Sequence, residues 1–277
     1  MLRTVRATQY VTPLREGGSL PAIVEGDDDG TYVLKFRGAG QGVRALVAEL
    51  VAGELGRTLG LPVPEIVFAE VDPRLGKTEP DREIQDLLRG SEGINLALDY
   101  LPGSITYDPA VDRAAATKPL LASSIVWFDA LVTNVDRTPR NTNLLVWHRE
   151  LWMIDHGAAL YFHHAWDDPE AASRSAFPPI RSHVLLPLAR EIEQVDALLD
   201  RMVSVARRTE RWATALVDVG LAIPRRAVRA LRPSQWLGRP DQRYIWAARI
   251  ATSVPRVVVD SLYRSTTRGS SQGRRAA

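Results

Sequence analysis

An α+β fold of two lobes is predicted for this chain: a small antiparallel sheet with one helix, then a larger helical lobe that carries a β-hairpin. Three features predict it. Short strand-like runs parted by Gly- and Asp-rich turns fill roughly the first hundred residues. Helical periodicity broken by prolines fills the second half, and a polar loop followed by two short apolar runs interrupts that half.

The strands begin with Thr4 to Val11, Leu20 to Glu25 and Thr31 to Arg37. Gly17-Gly18-Ser19 separates the first two, and Asp27-Asp28-Asp29-Gly30 reads as a hairpin turn before the third. From Val43 to Leu59, Val43, Leu46, Val47, Leu50 and Leu55 recur near helical spacing, and Gly60 is the stop signal. Pro62 and Pro64 open an extended stretch through Val71; Ile94 to Leu101 is a further strand ending at Pro102-Gly103, where the lobe boundary is placed. Lys118 to Thr133 reads as a helix with a buried face. Leu144 to Trp147 and Leu151 to Ile154, joined by His148-Arg149-Glu150, form the hairpin, and helices are expected near 186–205, 210–219, 225–231 and 241–263. The organisation is thus 1–102, 103–263 and a basic, disordered tail over 264–277.

At 277 residues, 45% hydrophobic and 25% charged, the chain is long enough to bury a sizeable core and reads as an ordinary globular protein. It lacks cysteine, which excludes disulfides and thiolate metal sites. No run approaches a membrane span and no signal-type apolar core opens the chain, so a cytoplasmic address is expected. A net charge of +2 gives no strong reason to expect nucleic acid, and membrane binding is not expected.

Phosphoryl transfer asks a protein for charges that hold phosphates, metal and nucleophile in line. Lys35 lies mid-strand, on the side of Val33 and opposite Tyr32, Leu34 and Phe36. Glu49 on the following helix is its natural partner, with Glu54 the competitor; an exposed strand face and a solvated helix face would account for the pair equally well. The run Asn134-Val135-Asp136-Arg137-Thr138-Pro139-Arg140-Asn141-Thr142-Asn143 is a stronger signal. Asp136 suits orienting a substrate hydroxyl and accepting its proton, and Asn141 suits giving an amide oxygen to a metal. Folding the hairpin about His148 and Arg149 brings residues near Asn141 beside Asp155, a set of hard oxygen donors suited to Mg²⁺.

Asp136 to Asn141 with Ile154-Asp155-His156-Gly157 resembles the catalytic loop and metal-binding motif of HipA-like kinases; lipid kinases of the phosphatidylinositol type are similar. The resemblance takes in Tyr32 to Phe36, Ala48-Glu49-Leu50, Leu59 to Pro64 and Asn95 to Gly103, and so runs from about Gly17 to Leu160. It implies a bilobal kinase-like fold with the nucleotide between the lobes. It further implies that Lys35 contacts the ATP phosphates, Glu49 holds Lys35, Asp136 is catalytic, and Asn141 and Asp155 bind magnesium. The function so implied is ATP- and Mg-dependent transfer of the γ-phosphate to a hydroxyl, protein Ser/Thr first. A non-catalytic nucleotide-binding regulatory module (a pseudokinase) or a small-molecule phosphotransferase is the alternative. The acceptor is an unidentified protein or small molecule.

Thr138 stands where related loops usually carry histidine, leaving Arg137 or Arg140 to supply a cation beside the phosphate or to pair with a surface carboxylate. No segment matches the partner-recognition features of HipA-like toxins, so toxin activity is not carried over. Gly17, Gly18 and Ser19 either let backbone approach a phosphate or make an ordinary turn. Asp129 and Asn134 read as groups that brace Asp136. His163-His164 with Asp167-Asp168 reads as a polar surface loop, and Trp127, Trp147, Trp152, Trp212, Trp236 and Trp246 as core. Ser19, Ser91 and Ser104 are candidate self-phosphorylation sites.

Overall fold

The structure, a computed structural model, describes residues 2–15, 20–40, 42–112, 118–160 and 177–198. Gly17, Gly18, Ser19, His163, His164, Asp167, Asp168, Trp212, Trp236, Trp246 and the 264–277 tail lie outside the described residues, as do the helices expected beyond 205. The described residues fall into two compact units: one holds those of 2–47 and 65–100, the other those of 48–64 and 101–198.

The first unit is a closed five-stranded barrel of β1 (Thr4–Pro13), β2 (Ala22–Gly26), β3 (Thr31–Lys35), β4 (Ile66–Val71) and β5 (Gly93–Asp99), ordered β1-β2-β3-β5-β4. Closure corrects the expected antiparallel sheet, because β1 also pairs in parallel with β4, Val5 opposite Ala69, and no edge strand is left. Alternation works as the sequence predicts. Tyr32, Leu34 and Phe36 are buried inward with Val24, Val67 and Ala97, whereas Val33 and Lys35 are half-buried on the outer face. Between β4 and β5 lie a 3₁₀ turn, Pro73–Thr78, and a helix, α2 (Arg82–Gly90), neither of them expected. Asp72 and Asp81 cap them by accepting the Arg74 and Glu83 amides, and Ile84 and Leu88 bury one α2 face in the barrel core.

The helix that precedes β4, α1 (Gly42–Thr58), supplies its first residues to the first unit and, from Ala48, its remainder to the second. It is buried all round from Ala45 to Gly53 rather than along one stripe, while Val43 and Leu55 are only half-buried. Gly60 ends it in the left-handed region (φ 76°), with Leu61 N–H donating to Gly56 O at 2.9 Å.

In the second unit α3 (Pro119–Leu131) and a three-stranded sheet of β6 (Ile105–Thr106), β7 (Leu144–Trp147) and β8 (Glu150–Met153) carry the apolar interior, with Leu50, Val63, Ile125, Phe128, Leu144 and Met153 buried. A Cβ on Gly56 would stand 3.2 Å from Val63 and 3.4 Å from Phe128, so this glycine permits the close approach of α1. The β7–β8 hairpin turns at His148 and Arg149, both at positive φ (48° and 66°) as a two-residue turn requires. Beyond it, 186–188 is a 3₁₀ turn and helix begins only at 192, which shortens the expected 186–205 helix from its start; Pro187 sits in that turn. Trp127, Trp147 and Trp152 are half-buried rather than core. Ser91 is fully buried and its Oγ accepts the Gly38 amide at 3.0 Å, so it is no accessible phosphate acceptor in this structure. Among the described residues no helix is long and apolar enough to cross a membrane.

Candidate active site

The polar loop is a compact turn. Thr138 and Asn141 form an isolated antiparallel bridge, Thr138 N–H to Asn141 O at 2.9 Å and Asn141 N–H to Thr138 O at 3.1 Å, with Pro139 and Arg140 as its tip. This reversal returns Asn141 to Asp136: the Asn141 Nδ2 donates to Asp136 Oδ2 at 3.0 Å. With the amide nitrogen so engaged, the opposite end of the Asn141 amide is its oxygen. Asn134 Oδ1 accepts the Asp136 N–H at 3.1 Å, which makes Asn134 a direct brace of that residue.

Hairpin pairing runs one step past β7 and β8, because Ile154 N–H donates to Asn143 O at 3.1 Å. The strand leaving Asn141 therefore runs beside the strand entering Asp155, the relation expected from symmetry about the turn. Asp155 is half-buried at φ 54°, a left-handed conformation that breaks the strand at that residue. The next residue meets α1. Glu49 is fully buried and its Oε2 accepts the His156 N–H at 2.7 Å, while its Oε1 lies 3.5 Å from His156 Nδ1. A solvated helix face for Glu49 is thereby excluded; a carboxylate so deep in a helix needs buried donors. The His156 ring packs edge-on to Phe128, centroids 6.3 Å apart. Met153 N–H donates to Pro62 O at 2.7 Å, so the Leu59 to Pro64 stretch backs β8.

Beneath the loop is a charged cluster that sequence reasoning missed. Arg137 is 1% exposed, so it is no cation for a transferring phosphate; its Nε donates to the fully buried Asp129 at 2.6 Å. Its Nη1 donates to Asn143 O and, at 3.3 Å, to Ile154 O. Asp129 Oδ1 also accepts from Asn134 Nδ2 at 3.2 Å, and its Oδ2 lies 2.9 Å from His183 Nε2. Burial by itself would push the Asp129 carboxyl up; the Arg137 charge and the His183 contact outweigh it and hold it at about 2. One signal for this cluster was present in the sequence. Asp129 is the sole charged residue of α3, and a lone acid in an apolar helix needs a buried partner.

Lys35 belongs to the first unit, half-buried on the outer barrel face; Asp136, Asn141, Asp155 and Glu49 belong to the second. Among the described residues no three His, Cys, Asp or Glu side chains converge as a metal cluster. An amide oxygen with a carboxylate fits Mg²⁺, which keeps water and phosphate in its other positions.

No curated protein matches the sequence. Among solved structures, the Golgi casein kinase is similar at 12% identity over 97% of this chain and 74% of that one, with a TM-score of 0.45. The Golgi casein kinase with Mn/ADP bound matches at 13% identity, 97% and 75% coverage and 0.45. The Helicobacter pylori proinflammatory kinase CtkA matches at 11% identity, 97% and 99% coverage and 0.40. The family model for HipA-like kinase matches residues 8–216, most of the chain and the whole of the loop and hairpin described above. The protein is therefore a member of the HipA-like kinases, a family of phosphotransferases.

Proposed function

We propose that the protein transfers the γ-phosphate of ATP, with Mg²⁺, to a hydroxyl acceptor, protein serine or threonine first. The observation that carries the reading is the Asn141 to Asp136 hydrogen bond within a loop whose far end is paired into the strand that delivers Asp155. Asp136 is assigned to orienting the acceptor hydroxyl and taking its proton, and the Asn141 amide nitrogen fixes the direction of that carboxylate. Asn141 and Asp155 are the residues that would hold the metal, which when bound neutralises charge on the phosphates. Lys35 is assigned to the ATP phosphates with Glu49 holding it, as the family resemblance implies, and Gly17, Gly18 and Ser19 are assigned to backbone contact with phosphate because glycine permits close approach. Residues 1–102 and 103–263 are assigned as the two lobes of a bilobal kinase fold, with β7–β8 as its catalytic hairpin.

Incubation with labelled ATP and Mg²⁺, alone and with cell lysate, tests transfer; a labelled product is expected, and none with any acceptor would overturn it. Thermal melts test the metal. ATP should raise Tm more with Mg²⁺ than with EDTA, and equal shifts would remove Asn141 and Asp155 from that role. The burial of Arg137 leaves the exposed Arg140 as the one of the two arginines available beside the phosphate, and a second reading stands if Arg140 does not serve. Mg-ATP binding without transfer would mark the chain as a nucleotide-binding regulatory module.

A further inference from the structure

His183 carries no motif of its own in the sequence, yet its side chain is 2% exposed and directed at Asp129. Its Nδ1 accepts the Leu185 N–H at 3.0 Å, and because a backbone N–H can only donate, the ring proton is on Nε2, 2.9 Å from Asp129 Oδ2. The next residue adds a backbone tie: Val184 N–H donates to Arg137 O at 3.1 Å. Asp129 thus receives Arg137 and His183 on one oxygen and Asn134 on the other. Arg137 in turn grips the carbonyls of Asn143 and Ile154, the residues that close the loop after Asn141 and precede Asp155.

We infer that His183 is a positioning residue for phosphoryl transfer, holding Asp129, and through it Arg137, so that the loop of Asp136 and Asn141 stays set against the strand of Asp155. The inference rests on the proposed reading of that loop as the transfer site. Removing the imidazole leaves the Asp129–Arg137 ion pair and the Asn134 bond in place, so the variant is expected to fold. What is lost is the third contact on Asp129, which holds the carboxylate that aims the guanidinium, and small displacements of reacting groups are expensive in rate.

The test compares His183→Leu, which removes both ring hydrogen bonds, with His183→Gln, whose amide can again donate to Asp129. In His183→Leu, kcat is expected to fall about ten- to a hundredfold while Mg-ATP binding changes by less than about threefold, and His183→Gln should regain most of the rate. Amide exchange over 136–143 should quicken about tenfold in His183→Leu and recover in His183→Gln, with β3 amides unchanged. If His183→Leu does not fold, His183→Asn takes its place, its shorter amide meeting Leu185 N–H without reaching Asp129. Unchanged kcat in an active protein, or equal loss of rate with both variants, overturns the inference. A wild-type protein that transfers nothing overturns the functional reading instead, and the exchange pattern then decides whether His183 sets the loop.

Discussion

Arg3 in the first unit and Arg137 in the second both pair with carboxylates, in opposite surroundings. Arg3 bridges Asp28 at 2.5 Å, Glu65 at 3.0 Å and the Tyr32 hydroxyl at 3.2 Å at the barrel rim, with about half of its side chain exposed. Arg137 and Asp129 are both at 0% side-chain exposure. The barrel has an apolar interior and closed pairing, so its rim charges are accessory. The loop of Asp136 and Asn141 has little apolar mass of its own, and a buried ion cluster with defined directions fixes its backbone instead. Such a cluster is a poor source of net stability but a strict geometric constraint.

Substituting the aspartates of the loop and hairpin carries the largest expected effects. Asp155→Asn is expected to abolish transfer and weaken Mg-ATP binding together, as read by calorimetric titration and labelled transfer. Asp136→Asn should lower transfer by about 10²–10⁴ while Mg-ATP binding persists; full activity in that variant would move the role elsewhere. Asp129→Asn leaves the Arg137 charge buried without its carboxylate and should lose about 3–5 kcal/mol in urea melts.

Acid sharpens the same contrast. The Asp129 carboxyl is held at about 2 against an ordinary 3.8, so its stabilisation is full above about pH 4 and is lost as pH falls through 2. That amounts to about 2 kcal/mol, and the stability gap between wild type and Asp129→Asn should narrow accordingly between pH 4 and pH 2. A gap constant over that range would show that Asp129 is not the titrating group. Smallest of all, Arg3→Gln should shift the melting free energy by under about 1 kcal/mol and lose even that in high salt. A loss as large as that of Asp129→Asn would erase the distinction between rim and interior charge.

Local patterns were legible in the sequence. Alternation fixed the inward Tyr32, Leu34 and Phe36, and the hairpin was legible as two short apolar runs, although Glu150, expected in the connection, pairs with Trp147 as the first residue of β8. Barrel closure was not legible, because parallel pairing between Thr4–Arg6 and Phe68–Glu70 leaves no mark on either strand alone. Helix α2 escaped because only Ile84 and Leu88 of its nine residues are buried, too few to announce a period in a charged segment. Around the loop, Asp136, Asn141 and Asp155 stand out because polar residues between apolar runs are conspicuous. Arg137 read as a cation for the phosphate or a partner for a surface carboxylate, and His183 has no neighbouring pattern to mark it. Their burial is a tertiary fact, set by the path of α3 and of 183–185.

The Glu49–His156 bond joins residues 107 positions apart in the chain. During synthesis α1 is complete long before the His156 amide exists, so this contact forms late. Closing so long a loop adds little to the entropic penalty per residue but delays the reward for burying the helix. The second unit therefore cannot be completed until residues 48–64 and His156 are both present, and a chain begun after Pro102 would leave the amides of Met153 and His156 without the acceptors that Pro62 and Glu49 provide.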